Sequence, residues 1–133
     1  MSNIKTFSSC TSELKNIRQF VEHACQDFPF REDKVNEIVL AVDEACANVI
    51  RHGYHMSKKG CLEIEISSDH EHARFVIKDV CSQITDKQLI PPENNLCEPG
   101  GLGLCLIHYV AETVRLLPHK GKGNWLELTV KFE

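Results

Sequence analysis

The sequence predicts an α+β fold, a two-layer sandwich with helices on one face of a mixed, largely antiparallel sheet. Three observations carry that prediction. An apolar stripe at spacings of 3, 4 and 7 runs through residues 31–51. Alternating segments at 61–67 and 73–79 are joined by a short polar link, and a helix, a strand, a turn and a strand close the chain. A chain of 133 residues is enough for one core and too short for two, so residues 1–133 are read as one domain, with no repeat or linker to divide them.

Each element has a local cause. Ile4-Lys5-Thr6-Phe7 alternates apolar and polar residues as a short strand does. Leu14, Ile17, Phe20, Val21 and Ala24 follow at helical spacing, so a helix is expected over 11–25, broken by Asp27-Phe28-Pro29. In the next helix Val35, Ile38, Val39, Val42, Cys46, Val49 and Ile50 form one stripe at about 100° per residue. Its other side carries Glu37, Glu44, Asn48 and Arg51, flanked by Ala41, Ala45 and Ala47, which leave room for something to approach. Gly53 reads as its stop. Residues 82–99, with Pro91, Pro92 and Pro99, read as a long loop. Gly100-Gly101-Leu102-Gly103 opens a helix to about residue 111. A strand at 114–116, a turn at Gly121-Lys122-Gly123 and a strand at 125–132 complete the chain.

Composition narrows the function. The formal charge of −4, from 15 basic and 19 acidic residues, gives no electrostatic support for direct nucleic-acid binding. No apolar run approaches the roughly 18 residues of a membrane span, and the start lacks a signal-peptide core, so a soluble intracellular protein is expected. Seven cysteines without a CxxC pair fit neither a secreted disulfide framework nor a zinc site, and free thiols are expected.

Few residues carry chemistry. Glu44 and Asn48 are four apart and project from one helix face. A carboxylate there can accept a proton from a hydroxyl, and a carboxamide oxygen can join a Mg²⁺ shell without adding negative charge; a solvated helix face would read the same way. Asp79 ends an apolar strand, where a carboxylate can accept a hydrogen bond from an exocyclic amine or simply form a turn. Gly100, Gly101 and Gly103 allow backbone N–H groups to approach phosphate at a helix N-terminus, although the segment is neither a P-loop nor a GxGxxG fingerprint.

Taken in order, a helix bearing Glu and Asn, a strand ending in Asp and a glycine-rich entry to a helix resemble the Bergerat-type (GHKL, histidine-kinase-like) ATP-binding fold. More narrowly, residues 41–54, AVDEACANVIRHGY, look like the N box of bacterial anti-sigma factor serine kinases. Residues 98–104, EPGGLGL, look like their second glycine box. The resemblance implies a serine/threonine protein kinase using ATP and Mg²⁺. It would hold a sigma factor inactive, phosphorylate a serine of an anti-anti-sigma factor in a partner switch, act in the bacterial cytoplasm and form a homodimer. Residue by residue, it implies Glu44 as general base and Asn48 as Mg²⁺ ligand beside the ATP phosphates. Asp79 would read adenine, Gly100, Gly101 and Gly103 would line the phosphates, and Thr129 would place a hydroxyl near adenine.

The chain departs from the family pattern in three places. Asp79-Val80-Cys81 puts a thiol where the family has glycine, so Cys81 would stand at the ATP site where backbone and nucleotide approach closely, adding bulk and, were the backbone left-handed there, strain of around 1–2 kcal/mol. Ser82-Gln83 replaces a usual Phe-Asp pair, and Pro99 stands where some relatives carry arginine. These changes point to a weakened activity. The rival function is a non-catalytic, nucleotide-sensing module that sequesters a regulator. A histidine kinase catalytic domain is the third reading.

Overall fold

The computed structural model describes residues 2–81, 84–89 and 102–133. Five strands form one sheet in the order β1-β2-β3-β5-β4, with β1 Asn3–Ser8, β2 Cys61–Ser68, β3 His72–Lys78, β4 Thr113–Leu116 and β5 Trp125–Lys131. All four pairings are antiparallel, so the mixed sheet of the sequence reading resolves into a wholly antiparallel one. Three helices, α1 Leu14–Cys25, α2 Glu32–Asn48 and α3 Leu102–Val110, pack with α2 in the middle.

Strand alternation sends every second side chain to the helices. Leu62, Ile64 and Ile66 of β2, Ala73, Phe75 and Ile77 of β3, and Leu126, Leu128 and Val130 of β5 meet Ile17, Val21, Ile38, Val42 and Cys46 from the helices. Ala41, Ala45 and Ala47 are buried as well. The small residues of α2 therefore serve close packing and do not open space for a ligand. The other sheet face is mostly polar, with Val76 and Trp125 among its charged residues. Glu127, only 3% exposed, lies between Arg115 at 2.8 Å and Arg74 at 3.5 Å. Lys78 reaches Glu65 at 2.9 Å and sits 4.2 Å from the centre of the Trp125 ring.

Two elements differ from expectation. The end of α2 passes into a π-helical turn, Val49–Gly53, in which the Tyr54 N–H donates to Val49 O at 2.8 Å. Gly53 does not stop the helix in the left-handed conformation; His55 and Met56, with φ of 50° and 66°, take that role. Within the expected long loop, Asp86–Leu89 forms a 3₁₀ turn. Gly100, Gly101 and Pro99 fall outside the described residues. Cys10, Cys25, Cys46, Cys61 and Cys81 are free as expected, whereas Cys105 is disulfide-bonded, so the expectation of free thiols throughout does not hold. Among the described residues no helix is long and apolar enough to cross a membrane.

Candidate functional site

The last turns of α2 and the π turn after them carry the site. Glu44 and Asn48, one turn apart, are both partly exposed. Their neighbour is the start of α3. A β-carbon on Gly103 would stand 2.8 Å from Glu44 Oε2 and 3.6 Å from Asn48 Nδ2. Gly103 is not in the left-handed region, so its lack of a side chain serves this close approach and not a turn. The carboxylate, the carboxamide and the N-terminal end of a helix thus share one place. The first turn of a helix suits anionic oxygen, through its unpaired N–H groups and its dipole.

The π turn makes the second contact. A β-carbon on Gly53 would lie 2.6 Å from Cys81 Sγ. Cys81 has no positive φ, so the strain considered for a thiol at this position does not arise, and its bulk occupies the space Gly53 leaves empty. Desolvation, reinforced by the Asp79 charge, pushes the Cys81 thiol up to about 11. Tyr54 fixes the same loop: its hydroxyl donates to Cys61 O at 2.7 Å and accepts from the Val80 N–H at 3.0 Å. Its ring covers Gly60, where a β-carbon would come within 2.4 Å.

Asp79 is 7% exposed and firmly held. Its Oδ1 accepts from the Cys81 N–H at 2.8 Å, the Asn124 N–H at 3.2 Å and Asn124 Nδ2 at 3.1 Å. Its own N–H donates to Asn124 O at 3.0 Å. Asp79 and Asn124 continue the inward alternation of Ile77 and Leu126, so this pair faces the helix layer. Beside it opens a cavity of about 520 Å³ lined by Ile84, Leu116, His119, Asn124 and Trp125, among others. This cavity adjoins the Asp79 end of the site and is not lined by Glu44 or Asn48.

Thr129 lies apart from this cluster. It pairs with Arg74 and Thr113, shares the outward parity of Glu127, and its hydroxyl bonds that of Thr113. Trp125, which pairs with Lys78, is four residues away, or about 13 Å along the strand. The residue of β5's end that meets Asp79 is Asn124, which the sequence reading missed. Its signal was position: a polar residue directly after Gly121-Lys122-Gly123, where the last strand begins. A carboxylate and carboxamide pair, a glycine cradle that a β-carbon would fill and a buried acceptor suit a magnesium-bound nucleotide. Asn48 would supply the metal's oxygen ligand.

Known proteins resemble the chain in the same way. It is 30% identical over 92 residues to the serine-protein kinase RsbW of Bacillus licheniformis, an alignment covering 63% of this chain and 58% of that protein. It is 26% identical over 104 residues to the anti-sigma F factor of Clostridium beijerinckii, covering 75% and 73%. Thus the chain spans less than two thirds of the length of the RsbW relative. In fold it matches the structure of the RsbU and RsbW domains of Rv1364c from Mycobacterium tuberculosis. The TM-score is 0.69 at 16% identity, over 98% of this chain and 31% of that one. The histidine kinase-like ATPase domain family matches residues 7–130, and this chain belongs to that family.

Proposed function

We propose that this chain, acting as one domain over 1–133, is an ATP-dependent protein kinase of the anti-sigma type. In this reading it sequesters a sigma factor in the cytoplasm and phosphorylates a serine of an anti-anti-sigma partner. The observation that carries the reading is the approach of Gly103 to Glu44 and Asn48, where a base, a metal ligand and helix N–H donors would meet. The kinship with a serine-protein kinase and an anti-sigma factor supports the choice of acceptor and partners.

Glu44 accepts the serine hydroxyl proton as that oxygen bonds to the terminal phosphorus and ADP departs with the bridging oxygen. Asn48 would hold the metal through its carboxamide oxygen. The start of α3 would donate the Gly103 backbone N–H to the phosphates, a role we propose from the sequence for Gly100 and Gly101 as well. Asp79 accepts from the adenine amine. Magnesium, when bound, offsets phosphate charge. Phosphoryl transfer is chiefly positioning and charge stabilisation, so this set is sufficient.

The test is a pair of variants. Glu44→Ala should lower serine phosphorylation by roughly 10²–10⁴-fold while leaving Mg-ATP binding in place. Asn48→Ala should weaken Mg-ATP binding itself. Transfer retained in Glu44→Ala would remove Glu44 as base, and unchanged binding in Asn48→Ala would remove the metal assignment. A wild-type chain that binds ATP without phosphorylating any anti-anti-sigma partner would instead be a sequestering module.

A further inference from the structure

The Asn124 side chain is held at both ends by partners that admit one orientation. Its Oδ1 accepts from the Ile84 N–H at 2.9 Å, and a backbone N–H can only donate. Its Nδ2 is therefore the end facing Asp79, to whose Oδ1 it donates at 3.1 Å. With the N–H groups of Cys81 and Asn124 on the same oxygen, Asp79 Oδ1 receives three donors. Both residues are 7% exposed, so water competes poorly for these bonds. Three N–H donors on Oδ1 fix the plane of the carboxylate, and the Cys81 thiol also bonds it.

We propose that Asn124 is a positioning residue that sets purine preference, by holding Asp79 so that it presents only an acceptor to the base. This rests on the nucleotide-binding reading given above. A base with an exocyclic amine at that place donates to the carboxylate. A base with a carbonyl there, as in guanine, sets two acceptors against each other and leaves both unpaired, an arrangement that discriminates strongly. Without the amide donor, Asp79 Oδ1 loses one of its three N–H donors and can turn, and the penalty against the carbonyl relaxes.

Two substitutions separate this role from a structural one. Asn124→Ala removes the side-chain bonds to Ile84 and to Asp79. Asn124→Asp is nearly isosteric and keeps an acceptor for the Ile84 N–H, but replaces the donor to Asp79 with a second carboxylate. ATP and GTP, each with Mg²⁺, are titrated against wild type and both variants, read by the fluorescence of Trp125, the one tryptophan. Circular dichroism checks the fold. The preference of wild type for ATP should fall about tenfold or more in both variants, and at least as far in Asn124→Asp. An Asp variant that matches wild type beside an impaired Ala variant would reduce Asn124 to a tether for Ile84 and overturn the proposal. An unchanged ATP-to-GTP ratio in both would overturn it too. Should Asn124→Ala not fold, the isosteric variant decides alone. Wild type that binds neither nucleotide would instead refute the nucleotide reading on which this inference stands.

Discussion

Replacing Gly103 with alanine should separate stability from catalysis. The new β-carbon would stand 2.8 Å from Glu44 Oε2, whereas ordinary contact begins near 3.4 Å, so the carboxylate must retreat by roughly 0.6 Å. The obstacle is the far end of a flexible side chain, and Glu44 is partly exposed, so the retreat costs little folding energy. Alanine also suits the helical backbone better, by up to about 1 kcal/mol. The variant should thus unfold in urea at or slightly above the wild-type midpoint. Catalysis is another matter, because a misplacement of about 1 Å costs about 10²-fold in rate. Serine phosphorylation should fall between tenfold and a hundredfold, with the loss in kcat. Wild-type turnover in a folded Gly103→Ala protein would refute the reasoning, since the displaced carboxylate could not then be the base.

Other predictions follow from the backbone and the thiols. Gly123→Ala should destabilise by about 3 kcal/mol or more in urea, because φ is +90° and the β-carbon would fall 1.7 Å from Asp79 O. Gly121→Ala, with φ of +108° but open space around it, should cost only about 1–2 kcal/mol, and equal losses would discredit the clash at Gly123. Tyr54→Phe should cost about 1–2 kcal/mol by leaving the Val80 N–H and Cys61 O without their shared hydroxyl, as thermal unfolding would show. Iodoacetamide at pH 8 should modify Cys10 first, since a hydrogen bond from Ser12 lowers its thiol below the ordinary range. Cys81, raised to about 11, should react about a hundredfold more slowly than an ordinary thiol, and mass spectrometry of the peptides gives the order. Burial raises Cys25 to about 12 from an ordinary 9.0, so the folded state keeps its proton when the unfolded state has lost it. Its contribution is complete below pH 9 and disappears as pH climbs towards 12, which alkaline denaturation would reveal.

The sequence by itself determined what local periodicity can encode. The helical stripe of 31–51 placed Glu44 and Asn48 on one face, because four residues slightly exceed one turn, and α2 with its π turn spans Glu32 to Gly53. Alternation at 61–67 and 73–79 located the hairpin to within a residue or two and left Asp79 at its end. Only the tertiary structure decided which distant residues meet. Asn124 and Thr129 are both polar residues at or in the last strand, and locally only the place of Asn124 directly after the Gly121-Lys122-Gly123 turn marks it out. The register in which Trp125 faces Lys78 and Thr129 faces Arg74 brings the first to Asp79 and carries the second to the far face. The same holds for Gly53, whose missing side chain accommodates Cys81, and for Gly103, whose missing side chain admits Glu44. Strand register and helix approach are fixed by contacts between segments far apart in the chain, and such contacts leave no period in the sequence.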